Sequence, residues 1–220
     1  MTTSSRAIGI LGGRFDPIHY GHLRLAQEAG EALRLAAVRF IPSGTPPHRG
    51  APEAAAEHRL TMVRLAIADN PLLRVDECEM RREGPAYTVD TLTGIRDELG
   101  NTQPLALILG ADAFIDLASW SRWQRLFELA HIVVAHRPGY PVETWQHRMA
   151  PALAREYVTR CLEDPLAVHE RPAGGIVVLP IAELDIAASR LRLALRSGRS
   201  PRYLLPDSVL DYIRAHHLYA

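Results

Sequence analysis

The chain has 220 residues, 47% of them hydrophobic, with 25 basic and 25 acidic side chains and no net charge. That is apolar material for one α/β domain of good size or two small ones, and it excludes a disordered chain. The balanced charge argues against a nonspecific nucleic-acid binder, and because the chain contains no lysine, any cation holding a phosphate here is a planar guanidinium or an imidazolium.

Ala7–Leu11 is a short apolar run closed by Gly12-Gly13, which predicts a buried first strand. A helix is expected from Tyr20 or Gly21, with Leu23, Ala26, Gly30 and Leu33 on one face. Val38–Ile41 predicts the second strand, stopped by Pro42 and the turn-rich Ser43–Pro52. From about Glu53 to Asp69, Ala56, Leu60, Val63 and Ile67 form an apolar helical stripe. Leu72–Val75 predicts a third strand and Thr88–Leu99 a third helix. Leu105–Leu109 follows as another buried strand ended by Gly110, and Ile132–Ala135 as a fifth, ended by His136-Arg137-Pro138-Gly139. Residues 140–172 carry helical pieces rich in Ala and Arg, read as an inserted excursion that either makes a subunit contact or covers the sheet edge. Ile176–Leu179 predicts the last strand, Ser189–Arg196 a helix, and Pro206–His216 a closing helix capped by Asp207.

Strands alternating with helices imply an α/β fold: a Rossmann-like, doubly wound, mostly parallel sheet with helices on both faces. The reading is one domain over 1–220, with a small C-terminal helical part over 186–220. Ligands of such sheets bind beyond the strand C-termini, where strand order reverses. Gly12–His22, Ser43–Arg49, Gly110–Asp112 and Arg137–Gly139 each follow a strand and should gather on one rim. Cys78 and Cys161 have no metal or redox spacing and fit thiols of a reducing compartment. The first apolar run is too short for a signal peptide and no other could span a membrane, so a cytoplasmic protein is expected. Nothing in the sequence fixes an oligomeric state.

The chemistry concentrates in Gly12-Gly13-Arg14-Phe15-Asp16-Pro17-Ile18-His19-Tyr20-Gly21-His22. Paired glycines let the backbone approach a ligand closely. The helix that follows aims unpaired N–H groups and a partial positive charge at the same space, which suits an anion. His19 and His22, three apart at the helix start, share a face. Beside phosphates their proton affinity should rise, making them charged donors. Read singly, each feature is a turn, a cap or a surface histidine; two histidines could also hold zinc, but no HExxH or Cys partner accompanies them.

This segment resembles the signature of the HxGH nucleotidyltransferase superfamily, present here as His19-Tyr20-Gly21-His22. Ile41-Pro42-Ser43-Gly44-Thr45-Pro46-Pro47-His48-Arg49 is similar to the matching loop of bacterial nicotinate-nucleotide adenylyltransferases. So are Tyr87-Thr88 with Thr91-Leu92, Leu109-Gly110-Ala111-Asp112, Trp120, Arg137-Pro138-Gly139-Tyr140 and Leu204-Leu205-Pro206. The likeness runs in order from about residue 8 to 219, and the ordered set is far more specific than HxGH alone.

The resemblance implies a transferase that joins ATP and nicotinate mononucleotide into deamido-NAD and pyrophosphate in NAD biosynthesis. The mononucleotide phosphate would attack the ATP α-phosphate in line, without a covalent intermediate and without a protein general base. His19 and His22 would be catalytic. Gly12, Gly13, Arg14, Phe15, Gly21, His48, Arg49, Gly110, Asp112, Arg137, Ser189 and Arg192 would form the ATP and phosphate site. Tyr87 and Thr88 would offer backbone amides to the nicotinate carboxylate and Trp120 would stack on its ring. Taken without the resemblance, Asp112 reads equally as a helix cap and Trp120 as a half-buried core aromatic. Mg²⁺ would arrive on ATP, with no protein metal site of its own. Two departures stand out: Arg14 replaces a usual Thr or Ser, and a hydroxyl is lost at Ala187, while Ser189 can replace a Thr and Arg192 is retained. The competing readings are a related transferase using NMN or another acceptor, and a non-catalytic nucleotide-binding module.

Overall fold

The apolar runs that end in glycine or proline assemble into one sheet. The structure is a computed structural model and describes residues 5–44, 52–136, 144–182 and 184–220. Its strands are β1 (Ile8–Gly13), β2 (Ala37–Pro42), β3 (Leu73–Val75), β4 (Leu105–Gly110), β5 (His131–His136) and β6 (Ile176–Pro180). They lie in the order β3-β2-β1-β4-β5-β6, and every pairing is parallel. The chain steps outward from β1 through β2 to β3, then returns to place β4 on the other side of β1. Strand order therefore reverses between β1 and β4, and a parallel sheet opens a crevice there.

Each apolar strand feeds two layers because side chains alternate across a sheet. Ala106 and Ile108 of β4 face one layer, and Leu105, Leu107 and Leu109 face the other. The first layer receives α1 (Tyr20–Ala32), α2 (Ala56–Ile67), α8 (Ala188–Arg196) and α9 (Asp207–Ala215) through residues such as Ala26, Met62, Leu191 and Leu210. The second receives α3 (Thr88–Leu99), α4 (Ala111–Ile115), α5 (Leu126–Leu129), α6 (Trp145–Arg148) and α7 (Pro151–Arg160). Trp145, Met149, Leu153 and Tyr157 dock the described part of the 140–172 excursion onto this second layer, so it covers that face of the sheet. Residues 140–143 lie outside the described residues.

Thr88–Leu99 is a helix to the residue, whereas β1 and β4 run one or two residues past their apolar stretch because Gly12, Gly13 and Gly110 still pair. The stripe expected on α2 is corrected. Ala56 is exposed and Leu60 half-buried, while Arg59, Met62, Val63 and Ile67 point inward. The face is rotated because the Arg59 guanidinium finds carbonyl partners inside, which lets a charged side chain occupy a core position. The expected cap of α9 is also corrected. Pro206 is the N-cap and Asp207 the first helical residue, where its carboxylate still favours the positive helix end. Among the described residues no helix is long and apolar enough to cross a membrane.

Candidate active site

β1 ends at the crevice in Gly12 and Gly13, paired with Ile41 and Pro42 of β2. A methyl group added at Gly12 would meet no protein atom within 4 Å, so that backbone faces open space. At Gly13 it would come within 2.8 Å of the Phe15 ring. Phe15 turns back beneath the strand end with φ +46°, is 1% exposed, and packs on Phe40 with ring centres 5.4 Å apart. A bulky residue in the left-handed region is costly and survives only where its surroundings enforce it. Here the buried ring is the anchor, and Gly13 is the residue that leaves room for it.

The loop is tied to its neighbour by Arg59, whose Nη1 donates to the Arg14 carbonyl at 2.8 Å and Nη2 to the Ser43 carbonyl at 2.7 Å. One buried guanidinium thus joins the loops after β1 and β2, and the Ser43 amide adds a bond to the Gly13 carbonyl at 2.9 Å. Asp16, 1% exposed, accepts the Glu53 amide at 2.9 Å and the Ala54 amide at 3.1 Å.

His19 closes the loop as the N-cap of α1. Its amide donates to Nδ1 of His22 at 3.3 Å, and the two rings stack with centres 3.7 Å apart. The edge of Phe15 meets the His22 ring at 5.1 Å. Burial pulls His19 down to a pKa of about 4 and holds His22 well below its ordinary value, with His19 adding to the second effect. Burial thus leaves both rings neutral at pH 7, and the rise in proton affinity expected beside phosphates concerns the occupied site. His19 Nδ1 is buried without a hydrogen-bond partner. Gly21 lies against that ring, and a methyl group there would sit 3.0 Å from it.

A cavity of about 140 Å³ opens beside this loop. Gly12, Gly13 and Ser43 line one side, and Ala86, Thr88, Thr91 and Trp120 the other. Tyr87 is the N-cap of α3, and bonding within the helix starts only at the Asp90 amide, so the Thr88 and Val89 amides point out of the helix start. Trp120 is half-buried and follows a 3₁₀ turn at Leu117–Ser119. The cavity thus brings together four of the residues expected from sequence: Gly12, Gly13, Thr88 and Trp120.

Comparisons with known proteins show the family of the chain and its fold. The profile of the cytidylyltransferase-like family covers residues 10–182. A protein of Dechloromonas aromatica named "Probable nicotinate-nucleotide adenylyltransferase" is 50% identical over 215 residues, 98% of each chain. One of the same name from Halorhodospira halophila is 50% identical over 204 residues, 93% of this chain and 91% of its own. The chain belongs to the nicotinate-nucleotide adenylyltransferase family. It is accordingly an enzyme of the nucleotidyltransferase class. A solved Plasmodium falciparum nicotinic acid mononucleotide adenylyltransferase complexed with NaAD shares the fold, with TM-score 0.72, 17% identity and 97% of each chain covered. The same protein complexed with APC gives TM-score 0.70 at 17% identity, with the same coverage. Nucleotidyltransferases of this kind use a divalent cation together with ATP.

The other described candidate site residues are not part of the cavity lining. Gly110 and Asp112 lie at the end of β4; both are exposed, and Asp112 approaches Arg148 at 3.7 Å. Asp112 is the second residue of α4 and Gly110 its N-cap, so the capping alternative for Asp112 is corrected. Ser189 is exposed in the first turn of α8, whose Ala187 N-cap makes no side-chain bond. Arg192 donates to Glu53 at 2.6 Å and to the Asp16 carbonyl at 2.7 Å. Phe15 can serve a ligand only through its backbone, because its ring is buried. Arg14 is partly exposed with Nη2 3.7 Å from Asp16. His48, Arg49 and Arg137 lie outside the described residues.

Sequence reasoning missed Arg59 and Glu79, and named Ser43 only as part of a loop expected on the rim. Glu79 is 8% exposed, lines the cavity, and accepts the Thr91 hydroxyl at 2.7 Å; burial raises its pKa. Arg82 approaches the same hydroxyl at 3.3 Å and the Asp90 carbonyl at 3.3 Å, fixing the start of α3. No spacing rule singles out these residues, since an inward arginine on a helix breaks the apolar pattern instead of making one.

Proposed function

We propose that this enzyme joins ATP and nicotinate mononucleotide to give deamido-NAD and pyrophosphate. The observation that carries this reading is one cavity flanked by two anion-seeking features. The Gly12-Gly13 strand end, which leads into the loop that carries the His19–His22 stack, lines one side; Thr88 at the open start of α3 and Trp120 line the other. A triphosphate fits the first, and a ring carrying a carboxylate fits the second.

The mononucleotide phosphate has a second pKa of about 6, so it is ionised at pH 7 and needs no general base. One of its oxygens forms a bond to the ATP α-phosphorus while the bond to the bridging oxygen breaks, and pyrophosphate leaves with that electron pair. The protein's task is to align the two groups and to neutralise charge on the leaving group. His19 and His22 supply N–H groups for this, and an arriving triphosphate raises their pKa so that they become imidazoliums. Gly12 keeps a methyl group out of the approach, while Gly13 leaves room for the Phe15 ring and Gly21 for the His19 ring. Asp112 is assigned to the adenosine ribose, with Gly110 beside it. Ser189, Arg14, His48, Arg49 and Arg137 are assigned to phosphate contacts. Arg192 is engaged by Glu53 and the Asp16 carbonyl and serves the phosphate site through that loop.

Mg²⁺ is assigned to the phosphates of ATP. Among the described residues no group of three His, Cys, Asp or Glu could hold an ion by itself, and His22 Nδ1 is already taken by the His19 amide. The ion neutralises the triphosphate when bound. We place the reaction in the cytoplasm. The test is incubation with ATP, Mg²⁺ and nicotinate mononucleotide, with separation of the products. Deamido-NAD and pyrophosphate in equal amounts support the assignment; ATP left intact rejects it.

A further inference from the structure

Tyr219 is the penultimate residue of the chain, yet it is only 8% exposed. The tail after α9 folds back on itself: His217 and Tyr219 both adopt left-handed backbone, at φ +50° and +62°, and the Leu218 amide bonds to the Ile213 carbonyl at 3.0 Å. Left-handed conformations are disfavoured for a non-glycine residue, so something at the end of this tail offsets them. The phenol hydroxyl donates to Oδ1 of Asp16 at 2.7 Å.

Asp16 lies in the loop between Gly13 and His19 and is almost wholly buried. A carboxylate in that position persists only if donors surround it. It has the Ala54 amide on Oδ1, the Glu53 amide on Oδ2, and the Tyr219 hydroxyl, which makes the shortest of the three bonds. Arg14 and Arg192 stand at 3.7 and 3.9 Å from Oδ2 and add charge without a close bond. Burial and the adjacent carboxylate push the phenol's pKa up, so it stays a donor at any pH the protein meets. Without Tyr219, Oδ1 keeps a single donor, 3.1 Å away.

We propose that Tyr219 is a positioning residue for the ATP-phosphate loop: its hydroxyl, through Asp16, makes the C-terminal tail part of the ATP site without touching ATP. The inference rests on reading Gly12–His22 as that loop. It places Tyr219, which does not line the cavity, under the same functional demand as the glycine turn.

Two measurements on the full chain test it. In steady-state kinetics, Tyr219→Phe should lower kcat/KM for ATP about tenfold, the scale of one hydrogen bond to a charged acceptor. KM for nicotinate mononucleotide should stay within about twofold. Added to Asp16→Asn, the same change should cost nothing further. In hydrogen exchange on the ligand-free protein, Tyr219→Phe should speed the amides of Gly13–Asp16 while those of α3 keep their rates. The inference is overturned if ATP and mononucleotide parameters fall together, if loop exchange is unchanged, or if exchange rises everywhere. Should the parent chain lack the transferase activity, the proposed function fails by itself and hydrogen exchange alone decides the role of Tyr219.

Discussion

Gly12 and Gly13 are neighbours with opposite duties, and replacing each by alanine separates them. Neither has a left-handed backbone, so alanine is allowed at both and any cost must come from what its methyl group meets. At Gly13 the new carbon lies 2.8 Å from Cε1 and Cζ of Phe15 and 3.2 Å from Cδ1. That ring is buried against Phe40 and cannot move aside without displacing core. Overpacking of this kind costs about 2 kcal/mol, and at ~3 °C per kcal/mol for a chain of this size Tm should drop by ~6 °C. At Gly12 the methyl group meets no protein atom within 4 Å. The folded state should lose nothing, and reduced freedom of the unfolded chain should raise stability by up to ~1 kcal/mol. The same methyl group occupies the space the phosphates approach, and a displacement of about 1 Å there costs on the order of 100-fold in kcat/KM for ATP. Thermal unfolding and kinetics on the two variants decide the matter. A Gly12→Ala protein as destabilised as Gly13→Ala, or one whose ATP kinetics match the parent, would refute the assignment of this strand end to phosphate binding.

Three further outcomes follow from the same geometry. His22→Ala should cut kcat by ~100-fold or more while KM for the mononucleotide changes little, and equal losses in both would contradict an electrostatic role in the transition state. Arg59→Met strands two buried carbonyls, at Arg14 and Ser43, and should cost about 3 kcal/mol in urea unfolding; a loss under ~1 kcal/mol would show that the two loops do not depend on it. The third concerns pH. His19 has a pKa of about 4 in the fold against an ordinary value of 6.5, so the unfolded chain takes up its proton first as pH falls. Its contribution to stability is whole above pH 6.5 and disappears as pH drops through 4, a loss of about 3 kcal/mol for this ring. Urea unfolding at pH 7 and pH 4 should show the parent losing more stability than His19→Asn, and identical losses would contradict a buried neutral ring.

The alternation of the fold was plain in the sequence because parallel strands buried on both faces must be continuous apolar runs, and glycine or proline ends nearly all of them here. Thr88–Leu99 was readable to the residue, since Val89, Leu92 and Ile95 keep an apolar face even though Arg96 is buried beside them on the carbonyls of Leu129 and Pro172. α2 was misread because Arg59 takes a place in its inward face, justified only by carbonyls of Arg14 and Ser43 that are distant in sequence. The histidines were legible as a pair, but not the lowering of their pKa by burial, which spacing does not reveal. Gly12 and Gly13 were found through a glycine motif after a strand, Thr88 and Trp120 through the family resemblance. Glu79, Arg82 and Tyr219 act through side-chain bonds to other segments, and local pattern carries no trace of those.

The central claim is that one cavity joins a phosphate site at Gly12-Gly13 to a carboxylate site at the start of α3. It is tested most directly by pyrophosphate release from ATP and Mg²⁺ with nicotinate mononucleotide and NMN supplied in parallel. The account predicts kcat/KM at least about tenfold higher for the nicotinate form, because helix-start amides bond a carboxylate more strongly than an uncharged amide. Equal rates with the two acceptors, or a preference for NMN, would contradict the carboxylate site at Tyr87-Thr88.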